Sequence, residues 1–282
     1  MKADLVLDVE CFNLKHTLEC GQCFRWKQIE ENTYIGVVLD RVLKITQDKN
    51  KLYVCSSKQE NLEQVVKEYF DLNYDYKQKE QEIAKIDSNI AESLKYSSGI
   101  HILNQPLLET IISYIISANN NIKRISRSVN DLSKKLGTKV IFENEEYYLF
   151  PTLEQLQNVT MDLLLSAGVG FRARYLKHNI DLFVQNPKLV LELRSMNLEE
   201  AQERLISFMG IGPKVRDCIM LFALGKKEVF PIDVWVKRVM EKIYFKENTS
   251  MRTIQEYAKT NFKDDAGLIQ QHLFYNIREN NI

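Results

Sequence analysis

The sequence predicts an α+β fold: a small N-terminal antiparallel β-sheet domain followed by a larger all-helical body with a helix-hairpin-helix motif. Three observations carry this. The first 56 residues are rich in Val, Ile, Tyr and Thr and are broken by short polar turns. From about residue 58 the apolar positions recur at helical spacing. Further on, "NLEEAQERLISFMGIGPKVRDCIMLFALG" reads as two helices about a glycine-bounded turn. The expected division is 1–98 for the sheet domain with flanking helices and 99–282 for the body, two helical subdomains with a cleft between them.

Taken in order, "CFRWKQI", "TYIGVVL", "RVLKITQ" and "KLYVCSS" are the expected strands, separated by turns such as "EEN" and "DKN". Helical patterning starts with "NLEQVVKEYF" and "EIAKIDSNIAESL". Segment 106–116, "PLLETIISYII", opens on Pro106 at a helix start and is apolar enough for deep burial. Further helices are expected at 122–136, 153–165, 171–184, 198–208, 213–224, 234–244, 251–262 and 265–278.

A chain of 282 residues, 45% hydrophobic and 27% charged, can bury a sizeable core. Its N-terminus carries Asp4, Asp8 and Glu10 within an apolar stretch and does not read as a signal peptide. No apolar run approaches the roughly 20 residues needed to span a bilayer. The expectation is a cytoplasmic protein, of prokaryotic source given its Lys-, Asn- and Ile-rich composition, working at the nucleoid without a membrane partner. Five cysteines, an odd number, fit reduced thiols. Cys20 and Cys23 have C-x-x-C spacing, but a zinc site needs a second such pair and none follows, so no metal is expected. Net charge is zero, yet residues 60–92 hold nine acids against four bases, and 123–139 six bases against one acid. A segregated basic patch can bind a polyanion, and a solvated helix face explains it equally well.

The hairpin is more specific. Gly210 and Gly212 permit positive φ and close backbone approach, and Pro213 suits a first helical position. Backbone amides at that helix start make a ready site for one DNA phosphate. Gly225 closes the helix. Asp233 follows Lys214 by nineteen residues. The helix carries the chain about 18 Å away. The following loop can span at most about 26–29 Å, enough to return Asp233 beside Lys214. Asp233 also precedes a helix, where a simple N-cap is the plainer role.

Hairpin, Gly-x-Gly-x-Lys and a downstream Pro-x-Asp resemble the signature of the helix-hairpin-helix DNA glycosylases. Branches of that superfamily with an iron–sulfur cluster use four cysteines near the C-terminus, whereas this chain has none after Cys218, so no cofactor is implied. "CGQCFRW" (20–26), "GIHILNQPLLETIISYIISANNNIKRI" (99–125), "AGVGFRARY" (167–175) and "GLIQQHLF" (267–274) resemble, in order, segments of the eukaryote-type 8-oxoguanine DNA glycosylases.

That resemblance implies an enzyme that flips 8-oxoguanine out of double-stranded DNA, where it pairs with cytosine, and excises it. Lys214 is then the nucleophile that forms a Schiff base with the sugar, permitting β-elimination, and Asp233 stabilises the cationic sugar. An amine must be deprotonated to attack. Phe274 and Cys218 match the pair that sandwiches the base. Gln270 and the carbonyl of Pro231 match the readers of its Watson–Crick edge, and the carbonyl of Gly21 matches the group that meets N7. Asn119 matches the residue that fills the vacated space. Phe171, where the family usually has Tyr, matches the wedge, and Arg124 and Arg172 match the residues that grip the orphaned cytosine. Trp235 stands where animal members have a phosphate-binding His. The resemblance implies a monomer. Two other readings stay open: an alkylpurine glycosylase on the same scaffold, against which Lys214 argues, and a helix-hairpin-helix DNA-binding module without chemistry, which has no use for Lys214 and Asp233 together.

Overall fold

The computed structural model describes residues 3–280. Strands β1 (Leu5–Asp8), β2 (Trp26–Glu30), β3 (Thr33–Val38), β4 (Arg41–Asp48) and β5 (Lys51–Ser56) form one antiparallel sheet in the order β1-β5-β4-β3-β2. The last four make the expected meander, and β1 adds to the outer edge of β5 with Leu5 opposite Val54. The strand expected from residue 23 begins only at Trp26, because 20–25 is a turn that follows helix α1 (Leu14–Glu19).

The sheet's inner face, with Leu43, Ile45, Leu52 and Val54, packs on α1 and on α2 (Leu62–Tyr69) through Leu14, Leu18, Leu62 and Val66. Its outer face is covered as well. Strands β6 (Lys139–Phe142) and β7 (Glu145–Tyr148) form a second, two-stranded sheet, and Val140, Phe142 and Tyr147 lie over Ile35, Val37 and Val42. Every residue of β3 is therefore buried, although it belongs to an antiparallel sheet that would otherwise leave one face wet. Lys44 of β4 pairs with Glu143 at the hairpin tip. Arg25 reaches from the first sheet to Tyr148 O and, over 2.8 Å, to Ser133 Oγ.

The remainder is helical. α3 (Tyr76–Ile83) and α4 (Ser88–Ser97) lead to α5 (Leu107–Ser117) and α6 (Ile122–Leu136). After the hairpin come α7 (Leu153–Leu156), α8 (Met161–Ser166), α9 (Ala173–Gln185), α10 (Lys188–Glu192) and α11 (Leu198–Ile206). α12 (Pro213–Leu224), α13 (Val234–Met240), α14 (Met251–Asn261) and α15 (Ala266–Asn280) close the fold. One large core joins them, with α5, buried nearly all round, at its centre. Two expected helices are split. Asp87 accepts from Asn89 N and Ile90 N and starts α4 inside the 82–94 pattern. Thr160 accepts from Leu163 N and starts α8 inside 153–165. Both are N-cap residues that restart the helix in a new direction. No helix among the described residues is long and apolar enough to cross a membrane.

Candidate active site in an interhelical cleft

The hairpin turn is built on Gly210, whose φ is +82°; a Cβ there would meet Tyr175 at 2.7 Å. Gly212, expected to share that freedom, is instead extended at φ −93° and N-caps α12. No atom lies within 4 Å of where its Cβ would sit, so the helix start is open to solvent. Asn179 of α9 holds the turn from behind, donating to Met209 O at 2.7 Å and accepting from Met209 N at 3.0 Å. Nothing in the sequence marks Asn179 for this, because it occupies an ordinary helical position.

α12 then carries Lys214 and Cys218, one turn apart on the same face. Lys214 is half-buried, with Nζ 5.1 Å from the centre of the Tyr114 ring of α5. Cys218 is buried, and burial pushes its thiol up to about 11 despite the neighbouring Lys214 charge. At neutral pH it is therefore a thiol and not a thiolate. The chain returns from Gly225, left-handed at φ +66°, to Asp233, which N-caps α13 by accepting from Val236 N at 2.8 Å. The cap does not remove Asp233 from the cleft: Lys214 and Asp233 both line it, a cavity of about 810 Å³.

Gly21, Cys218, Pro231, Trp235, Gln270 and Phe274 line the same cleft. Gly21 has φ +89°, and its Cβ position lies 3.5 Å from Phe274 Cε1, so the backbone passes close to that ring. Gln270 is 4% exposed. Trp235 is 57% exposed on the first turn of α13, with the Arg238 guanidinium 5.1 Å from its ring. Tyr114, Phe24, Phe222 and Gln271 complete the wall. Sequence reasoning passes over them because Tyr114 and Phe222 sit in runs that read only as core. Cys20 and Cys23 donate to separate carbonyls of α1, those of Thr17 and Leu18.

Asn119, Arg124, Phe171 and Arg172 lie outside the cleft lining, on the α5–α6 turn and the turn before α9. Asn119 is exposed and left-handed at φ +51°. Asn120 donates to Ile116 O at 3.1 Å, and Asn121 caps α6 by accepting from Arg124 N. Three successive asparagines thus end one helix, turn the chain and begin the next. Phe171 is 54% exposed, with the Arg172 guanidinium 4.4 Å from its ring. Arg172 itself is buried and donates to Ala118 O (Nε, 2.8 Å, and Nη2), Asn119 O (2.9 Å) and Val169 O (3.2 Å). Burial, with the Arg124 charge facing it, pulls its pKa below the usual value. Arg124 is exposed at the start of α6.

Known proteins resemble this chain along most of its length. The family profile described as 8-oxoguanine DNA glycosylase, N-terminal domain, matches residues 4–111, and that of the HhH-GPD superfamily base excision DNA repair proteins matches 112–264. The chain is 28% identical to a probable N-glycosylase/DNA lyase of Methanothermobacter thermautotrophicus, over 96% of this chain and 95% of that protein. It is 30% identical to the N-glycosylase/DNA lyase of Saccharomyces cerevisiae, over 82% and 68%. The 8-oxoguanine glycosylase/lyase of Clostridium acetobutylicum, solved with dsDNA containing cytosine opposite to 8-oxoG, aligns at a TM-score of 0.92 and 37% identity, covering 100% of both chains. The chain belongs to the HhH-GPD superfamily of base excision DNA repair proteins, as an N-glycosylase/DNA lyase of the 8-oxoguanine DNA glycosylase type.

Proposed function

We infer that the protein excises 8-oxoguanine from duplex DNA, opposite cytosine, through a covalent intermediate on Lys214. The observation that carries this is that Lys214 and Asp233, from two different elements, line one cleft together with Cys218, Phe274 and Gln270. The free amine of Lys214 attacks C1′ of the sugar and the N-glycosidic bond breaks, its electron pair leaving with the base. The sugar ring then opens to a Schiff base. Loss of a C2′ proton expels the 3′ phosphate by β-elimination. The carboxylate of Asp233 faces positive charge as it develops on the sugar, where fixed electrostatics act most strongly.

Outside the cleft, the open N-terminus of α12 holds a phosphate, Asn119 fills the space of the extruded nucleotide, Phe171 wedges the duplex, and Arg124 with Arg172 contacts the orphaned cytosine. Pro231 and Gln270 read the Watson–Crick edge of the flipped base, Trp235 donates to a phosphate, and the enzyme acts as a monomer at the nucleoid. An alkylpurine glycosylase acting by water alone would leave Lys214 without a task.

Borohydride reduction in the presence of 8-oxoguanine duplex should trap a covalent protein–DNA adduct. Lys214→Gln should lose both trapping and base release while still binding the duplex. Trapping at wild-type yield by that variant would overturn the assignment.

A further inference from the structure

Gln270 and Gln271 are consecutive on α15, each 4% exposed, and both line the cleft. Gln271 Nε2 donates to Gln270 Oε1 over 2.7 Å. Gln271 Oε1 is buried and has no hydrogen-bond partner. A buried carbonyl oxygen left unpaired is costly, by about 1–3 kcal/mol, and native structures keep few of them. An orphaned N–H is rarer still in native structures than an under-satisfied carbonyl, so the acceptor end of the amide is the better one to leave there.

The contact between the two amides also has a direction. Each amide has a donor end and an acceptor end. If Gln270 turned over, its Nε2 would face Gln271 Nε2, donor against donor. If Gln271 turned as well, the bond would re-form but its Nε2 would be the partnerless atom, and a buried N–H without an acceptor is tolerated less often than an under-satisfied carbonyl. The amide of Gln270 is therefore held in one of its two orientations.

For a purine reader that choice matters. The edge of 8-oxoguanine offers an acceptor, O6, followed by the donors N1–H and N2–H2. The edge of 8-oxoadenine offers a donor, N6–H2, followed by the acceptor N1. A glutamine free to turn over can match either edge, and one held in place matches only one.

We propose that Gln271 is a positioning residue for base specificity: it locks the Gln270 amide in the orientation that reads the guanine-type edge. This rests on the proposed entry of 8-oxoguanine into the cleft with its edge on Gln270.

The test is single-turnover excision of 8-oxoguanine and of 8-oxoadenine, each opposite cytosine, by the wild type, Gln271→Leu and Gln271→Met. Both lesions carry N7–H, so contacts at N7 cancel in the ratio of the two rates. Neither replacement can donate to Gln270. The preference for 8-oxoguanine should narrow at least tenfold in both variants, as Gln270 becomes free to turn. A purely structural role would slow both substrates equally, so a ratio within twofold of the wild type in a folded variant overturns the proposal. Thermal unfolding identifies which variants are folded, and the unbranched Met carries the test if Leu does not fit. A wild type that leaves 8-oxoguanine uncut would instead overturn the functional reading on which the proposal rests.

Discussion

Gly21 and Asp233 each have a backbone role beside the chemical one proposed for them, and substitution can separate the two. Gly21 is left-handed and lies against Phe274, so its carbonyl belongs to a backbone that only glycine adopts readily. Guanine and 8-oxoguanine share a Watson–Crick edge and differ at N7, a bare acceptor in guanine and an N–H donor in the lesion. With normal guanine two acceptors would face each other, and sites built around such a bond can reject analogues lacking it by about 10⁴–10⁵. Single-turnover excision of an analogue that keeps the 8-oxo group but has carbon at position 7 should be slower by orders of magnitude. Excision at the normal rate would show that the Gly21 carbonyl is not the discriminator. For Asp233, Asn preserves the cap and removes the charge. Asp233→Asn should cut excision by about 10²–10³ with little change in the urea midpoint. Asp233→Ala should lose a further ~1 kcal/mol of stability with the cap.

At the scale of elements, the regular parts were legible and the junctions were not. α6 and α12 have the bounds their patterns predict, because cap signals frame a continuous apolar stripe. β1 was missed: four residues paired to a strand more than forty positions away leave almost no local pattern. The β6–β7 hairpin was missed because its strands are only four residues each, set between long helical patterns, and its partner is the outer face of a distant sheet. Much of the site was legible through motif resemblance, whereas Gln271 and Tyr114 were not, since neither type nor spacing separates them from core residues. Arg172 is the instructive case. Resemblance assigns it to the cytosine, yet four of its five N–H donors already go to carbonyls around the Asn119 turn. Exposed Arg124 is therefore the freer of the two for the proposed contact with the cytosine. Arg124→Ala should flatten the preference for cytosine over adenine opposite the lesion. Arg172→Lys should slow excision whatever the opposite base. Rates on a panel of four opposite bases separate the two effects.

For the whole molecule, two buried imidazoles contribute to acid sensitivity. His272 is fully buried beside Ser97, whose Oγ lies 2.8 Å from Nδ1, with Glu80 at 3.9 Å from Nε2. Burial pushes its pKa down to about 3, with the His16 and His101 charges adding to the effect. His101, held between Phe70 O and Cys11 O, is pushed down to about 4. A histidine lowered in the folded state takes up its proton more readily when unfolded. The stability it contributes is complete above pH 6.5 or so and drains away as pH falls toward the folded value. Between pH 7 and pH 5, His272 alone should cost about 2 kcal/mol. Urea titrations at those two pH values should show a smaller drop for His272→Gln than for the wild type, with the His101 contribution remaining.

The carbonyls gathered by Arg172 also have a thermal consequence. Asn119 holds an uncommon left-handed shape whose neighbouring carbonyls Arg172 braces, so in the proposed complex its insertion into a duplex would freeze few additional torsions. Loosening that turn leaves the final contacts in place but makes the duplex order the loop on arrival. Calorimetry should then report a more unfavourable binding entropy for Arg172→Lys than for the wild type, with the heat released little changed.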